Sequence, residues 1–161
     1  MAEAKAKVEV KAEPVEEPSR PVAEIDYALL LIDLAEEFLD AAYGKSRDGR
    51  PERREKDLNC FHKLIATGLG CLEVVLKQWR SALQPAVEAG VRLRYASILF
   101  AETTNTSEAE EVLSKGIAQC DKLRLMDLKY NMQHLLARVT FATNSKAAIK
   151  YVGTAIKDAE M

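Results

Sequence analysis

Little in this chain points to chemistry. Its 161 residues hold two histidines, His62 and His134, and three cysteines, Cys60, Cys71 and Cys120. The histidines fall on different predicted helices with no nucleophile motif beside either, so a histidine-assisted catalytic pair has no support. The cysteines form an odd set without a CxxC spacing. Cys60 and Cys71 sit on one predicted helix, where eleven residues put their backbones about 16 Å apart, too far for a disulfide. They read as reduced core thiols of a nuclear or cytosolic protein. A glycine-rich phosphate loop and a metal-ligand spacing are both missing. An excess of one charge is missing too. The formal net charge is −2 and the pI about 5.8, unlike a free-standing nucleic-acid binder. No run reaches the roughly 18 apolar residues that span a bilayer: the stretch from Ala28 is broken by Asp33 and followed by Glu36 and Glu37. The charged N-terminus has no apolar core of a secretory signal. The expectation is a protein without cofactor, metal, catalytic residues, membrane span or small-molecule substrate.

What is present is a repeat. Asn105-Thr106-Ser107-Glu108-Ala109 recurs in kind as Asn144-Ser145-Lys146-Ala147-Ala148, an offset of 144 − 105 = 39. The same offset pairs Leu93 with Met132, Phe100 with Val139, Leu113 with Val152 and Ile117 with Ile156. A period of this size with helical patterning inside each copy marks a helical-hairpin solenoid. A single hairpin cannot bury its apolar face, so such units stack. The predicted fold is all-α: antiparallel helical hairpins stacked as a tetratricopeptide-like right-handed solenoid.

Residues 1–23 are a mixture of Ala, Lys, Glu, Val and Pro with few large apolar groups, and read as a disordered tail or a docking segment. Residues 24–161 are then about three helix pairs. The first helix is expected over 23–42, ended by Gly44 and apolar on enough sides to be buried between neighbours. The charge run 45–57 reads as a solvated loop entering the next helix at Pro51; a contact with phosphate or an acidic partner is the sharper alternative. A long second helix is expected over 52–83, closed by Pro85, with Gly68 and Gly70 marking close approach of a neighbouring backbone. Helices follow over 86–102, 107–123, 126–142 and from 145 onward. Asn105 and Asn144 stand where helix caps belong. Ala109, Gly116, Ala148 and Ala155 leave notches for a partner helix. The last helix carries no polar closing helix, as expected for a piece of a longer superhelix.

The second helix of each copy, Ala109-x3-Leu113-x2-Gly116 and Ala148-x3-Val152-x2-Ala155, resembles that of a tetratricopeptide repeat, although the offset of 39 exceeds that family's usual length. A longer resemblance runs through Tyr27 to Phe38, Phe61 to Glu73, Arg92 to Leu99, Glu108 to Ile117 and Asp127 to Gln133. These blocks resemble the N-terminal region of the cohesin-loading factor family, in wording closest to fungal members. The resemblance implies a nuclear, non-catalytic scaffold. Its helical repeats would wrap the N-terminal segment of the large HEAT-repeat loader subunit, and through it support loading of cohesin onto chromatin. The alternative is a generic helical-repeat adaptor for another peptide.

In tetratricopeptide repeats the first helix of each pair faces the groove. Carried over, that rule places Arg94, Ile98, Ala101 and Glu102 in the partner groove in one copy, and Tyr130, Gln133, Ala137 and Phe141 in the next. The other reading of these eight is helix-to-helix contact or plain solvation.

Overall fold

The computed structural model describes residues 20–46 and 54–160. They form six helices: α1 (Arg20–Ser46), α2 (Arg54–Val74), α3 (Pro85–Glu102), α4 (Thr106–Leu123), α5 (Met126–Thr143) and α6 (Ser145–Ala159). Beyond Val74 the path of α2 runs on through a π turn (Val75–Trp79) and a 3-10 turn (Arg80–Ala82). The helices pack as sequential antiparallel pairs: α1 on α2, α3 on α4, α4 on α5 and α5 on α6, with α3 also touching α5. This is the stacking the repeat requires. The charge run lies mostly outside the described residues, as does the tail as far as residue 19.

Four expectations about the first pair need correction. Helix α1 starts at Arg20 and runs through Gly44 to Ser46, so Gly44 does not stop it. Pro21 falls in the first turn, where a missing N–H costs no helical bond. Nor is α1 buried on most sides. Its seam is Ala28, Ala35 and Ala42 at seven-residue spacing with Leu39, all fully buried, while Tyr27, Leu29, Leu30 and Leu34 stay exposed. The alanines let α2 approach closely on one side, and no second described helix covers the other. The third correction concerns the glycines of α2. A Cβ on Gly68 would lie 3.0 Å from Leu39 Cγ and 3.2 Å from the Ala35 carbonyl oxygen, the close approach predicted there. Gly70 meets nothing within 4 Å and marks no such contact.

Pro85 does not close α2. It opens α3, and its N-terminal position needs no amide hydrogen. The chain turns instead through the π and 3-10 segments, with Trp79 stacked on Tyr27 at 6.2 Å. By length and composition 56–82 could cross a membrane, yet Ile65, Leu72 and Val75 are buried in the core.

The repeat copies behave as their sequence dictates. Asn105 caps α4 by accepting from the Glu108 amide, and Asn144 caps α6 by accepting from the Ala147 amide. Arg124 at φ 55° makes the left-handed turn that ends α4. A Cβ on Gly116 would lie 2.6 Å from Met132 Sδ, so α4 and α5 meet closely at that notch. The core runs continuously from Ala28 to Val139.

Candidate functional site

The first helices of the pairs share a side. Helix α3 touches α5, and two polar bridges tie α3 to α1. Arg94 donates from Nε to Glu36 Oε1 at 2.9 Å and from Nη2 to Glu36 Oε2 at 2.7 Å, a two-pronged fork. The hydrogen bond to Glu36 holds the guanidinium pKa above its ordinary value despite partial burial. Two turns further, the Tyr43 hydroxyl donates to Glu102 Oε1 at 3.1 Å. Burial first, and then this carboxylate, push the Tyr43 pKa up. Arg94 and Glu102 therefore already have partners in α1. Both pairs are partly exposed, so they remain open to a competing ligand.

Between them, Ile98 is 2% exposed and belongs to the core, while Ala101 is open to solvent. On α5, Tyr130 and Gln133 face α6. The Tyr130 hydroxyl donates to the Asp158 carbonyl at 3.0 Å, and Gln133 Nε2 donates to Asp158 Oδ2 at 2.9 Å. Lys129 Nζ lies 2.9 Å from the same carboxylate and 2.7 Å from Asp121. Gln133 and then Lys129 hold the Asp158 carboxyl below the usual carboxylate range. Fixing the amide this way leaves Gln133 Oε1 buried with no hydrogen-bond partner among the described residues.

Ala137 and Phe141 come together in an open apolar groove of about 660 Å³. Phe100 of α3, His134, Arg138 and Ala142 of α5, and Ala148, Ile149 and Val152 of α6 complete its walls. Arg138 lies over the Phe100 ring at 5.5 Å, a cation–π contact. Phe141 is 68% exposed and Ile149 71%. Of the eight residues expected in the partner groove, Ala137 and Phe141 line this one, while Ile149 and Arg138 are not among the eight. The signal lay in the second helix of the copy, where Ile149 and Val152 flank the apolar stripe.

A second, polar cleft of about 690 Å³ lies where α2, α3 and α4 meet. Its acids Glu73, Glu108 and Glu111 alternate with Lys77, Arg80, Arg92 and Lys115, which leaves no field of one sign. Tyr95 donates to Glu108 Oε1 at 2.7 Å there, and burial followed by this bond raises its pKa. Beneath it, Arg92 grips Glu88 at 2.7 Å, and Gln119 Nε2 donates to the other Glu88 oxygen at 2.7 Å. Both ionic side chains are nearly buried, so this is a pin between α3 and α4.

His62 sits edge-on to Phe61 on α2, and His134 lies in the apolar groove on α5. Among the described residues no cluster of His, Cys, Asp and Glu is placed to hold a metal ion. The surfaces on these helices are an open apolar groove, a shared helix side and a polar cleft.

The family model described as cohesin loading factor matches residues 27–161. Neither the curated proteins nor the solved structures contain a match.

Proposed function

Because this chain belongs to the cohesin loading factor family, a family of non-catalytic loader subunits with a role in cohesin loading, we propose that it is a scaffold for the large HEAT-repeat subunit of the loader. The groove side formed by α1, α3 and α5 receives the extended N-terminal segment of that subunit, and the complex acts on cohesin at chromatin in the nucleus. The contacts fall to five of the eight residues named from the repeat rule, with Phe141 and Ala101 offering open surface, and Arg94, Glu102 and Tyr130 offering polar groups. Ile98, Gln133 and Ala137 shape the helices beneath.

The observation that carries this reading is the family match itself, which runs through all six helices rather than one motif. The physical logic agrees. A segment disordered when free gives up ordering entropy on capture, and only a long surface of several helices can offset it. Titration calorimetry of the chain against the N-terminal segment of the large subunit tests it. Binding at micromolar Kd or tighter is expected, weakened about tenfold by Phe141→Ala, as for an exposed aromatic anchor. A folded chain that shows no heat of binding refutes the proposal.

A further inference from the structure

The side formed by α1 and α3 holds two pairings in one register. Glu36 meets Arg94 at a step of 94 − 36 = 58, and Tyr43 meets Glu102 at 102 − 43 = 59, so the two helices run parallel. They touch through these long side chains rather than by close backbone packing. Seven residues back on each helix, the step of 58 sets Leu29 opposite Val87. Both are exposed, at 43% and 37%, and Val22, a further seven residues back on α1, is exposed as well. The seam between α1 and α3 is therefore closed by polar bridges at one end and left apolar and open at the other.

Charge flanks the open end. Asp26 and Asp33 lie within a turn or so of Leu29 on α1, both exposed and without an ion-pair partner among the described residues. A cover for this end needs apolar side chains between two cations. The chain carries that pattern in the stretch that leads into α1, Lys7-Val8-Glu9-Val10-Lys11. Along an extended backbone alternate side chains share a side, which puts Val8 and Val10 on one side and the two lysines on the other, where they outnumber Glu9. Lys7 and Lys11 are then about 13 Å apart, and Asp26 and Asp33 about 10.5 Å apart along the helix, a difference that lysine side chains take up. The nine residues from Lys11 to the start of α1 at Arg20 reach as far as about 30 Å, enough to turn back to Asp26, about 9 Å along the helix.

We propose that the open end of the α1–α3 seam is a docking site for residues 7–11 of this same chain. The segment turns back along α1, lays Val8 and Val10 onto Leu29 and Val87, and sets Lys11 beside Asp26 and Lys7 beside Asp33. Tethered to α1, it meets the seam at an effective concentration on the order of millimolar, so contacts too weak to hold a free peptide suffice. The docked segment covers part of the side on which α1, α3 and α5 take their partner, and so competes with that partner. This competition rests on the proposed function; the docking itself does not.

Zero-length carbodiimide coupling of the whole chain is the test, because it joins an amine only to a carboxylate that the amine can touch. Peptide mass spectrometry of the monomer band should find Lys7 or Lys11 joined to Asp26 or Asp33, several-fold more often than to the exposed acids Glu111 and Asp121 of α4. Leu29→Ser should cut that yield several-fold, with helical circular dichroism unchanged because Leu29 is exposed. Coupling spread evenly over the four acids overturns the proposal, as does a yield that Leu29→Ser leaves as it was. Coupling to Asp26 and Asp33 found only in the dimer band overturns it in favour of a second copy. Calorimetry against the N-terminal segment of the large subunit then separates the two readings. Val8→Ser with Val10→Ser should tighten that binding several-fold. Unchanged affinity overturns the competition, whereas a folded chain that binds no segment overturns the proposed function and leaves the coupling result standing.

Discussion

Replacing Gly116 by alanine sets two effects of known size against each other. In the interior of a helix, Gly→Ala gains about 1 kcal/mol of backbone entropy and propensity. At Gly116 the new methyl would stand 2.6 Å from Met132 Sδ and 3.0 Å from its Cε, with Arg92 Cδ at 3.5 Å. Methionine bends easily, but Met132 is fully buried, and Arg92 is held by its ion pair with Glu88. Overpacking of this kind costs about 1–3 kcal/mol. The net expectation is a loss of about 0–2 kcal/mol, a range too close to zero to decide alone. Gly70→Ala supplies the reference, because it lies inside α2 and its methyl would meet nothing within 4 Å. It should stabilise by up to about 1 kcal/mol. The difference between the two variants cancels the propensity gain and leaves the steric cost, about 1–3 kcal/mol. Urea denaturation with a common m-value measures it. Equal midpoints for Gly116→Ala and Gly70→Ala would show that α4 and α5 are not in close contact at this notch.

Three further outcomes follow from particular contacts. Arg92→Met leaves Glu88 nearly buried with only Gln119 beside it and should cost about 3–5 kcal/mol in the same assay, whereas Lys115→Ala, at an exposed pair, should cost no more than about 0.5 kcal/mol. Asn144→Ala should cost about 1 kcal/mol through the lost cap, with hydrogen exchange faster in the first turn of α6. The Asp158 carboxyl is held below its ordinary 3.8, so its share of stability is full above that value and is lost as pH falls through the lower folded one. Thermal melts at decreasing pH should therefore show wild type and Asp158→Asn converging below pH 3.8, and parallel curves would refute the linkage.

The second half of the fold was the more legible in the sequence. Offset and capping asparagines placed α3 to α6 within a residue or two, because in a repeat each local signal is stated twice. The first pair has no such second copy. Gly44 looked like a stop, yet helix continuation at Lys45 and Ser46 outweighed it. Pro85 is read equally well as an end or a beginning, and the π turn at Val75–Trp79 has no sequence signature to decide. For the candidate site, the repeat rule points to α3 and α5, and two of its eight residues, Ala137 and Phe141, line the apolar groove. It could not show that Arg94 meets Glu36, a partner 58 residues away on a helix that no periodicity links to α3.

The same joint has a mechanical meaning. The pair α1–α2 shares the hydrophobic core with the rest of the stack but meets it over a thinner seam, made by α2 and the π turn against α3, the Arg94–Glu36 fork and the Tyr43–Glu102 bond, whereas α3 to α6 pack helix against helix along their length. Ionic and turn contacts shear more readily than interdigitated methyl groups, and half-exposed ion pairs loosen as salt rises. Pulled from its two ends, the molecule should yield first between Trp79 and Pro85, releasing the first hairpin as an intact lever while the remaining four helices hold. A ligand lying across that joint would act as a splint, and the angle at which it sets the lever would fix the pitch of the whole array.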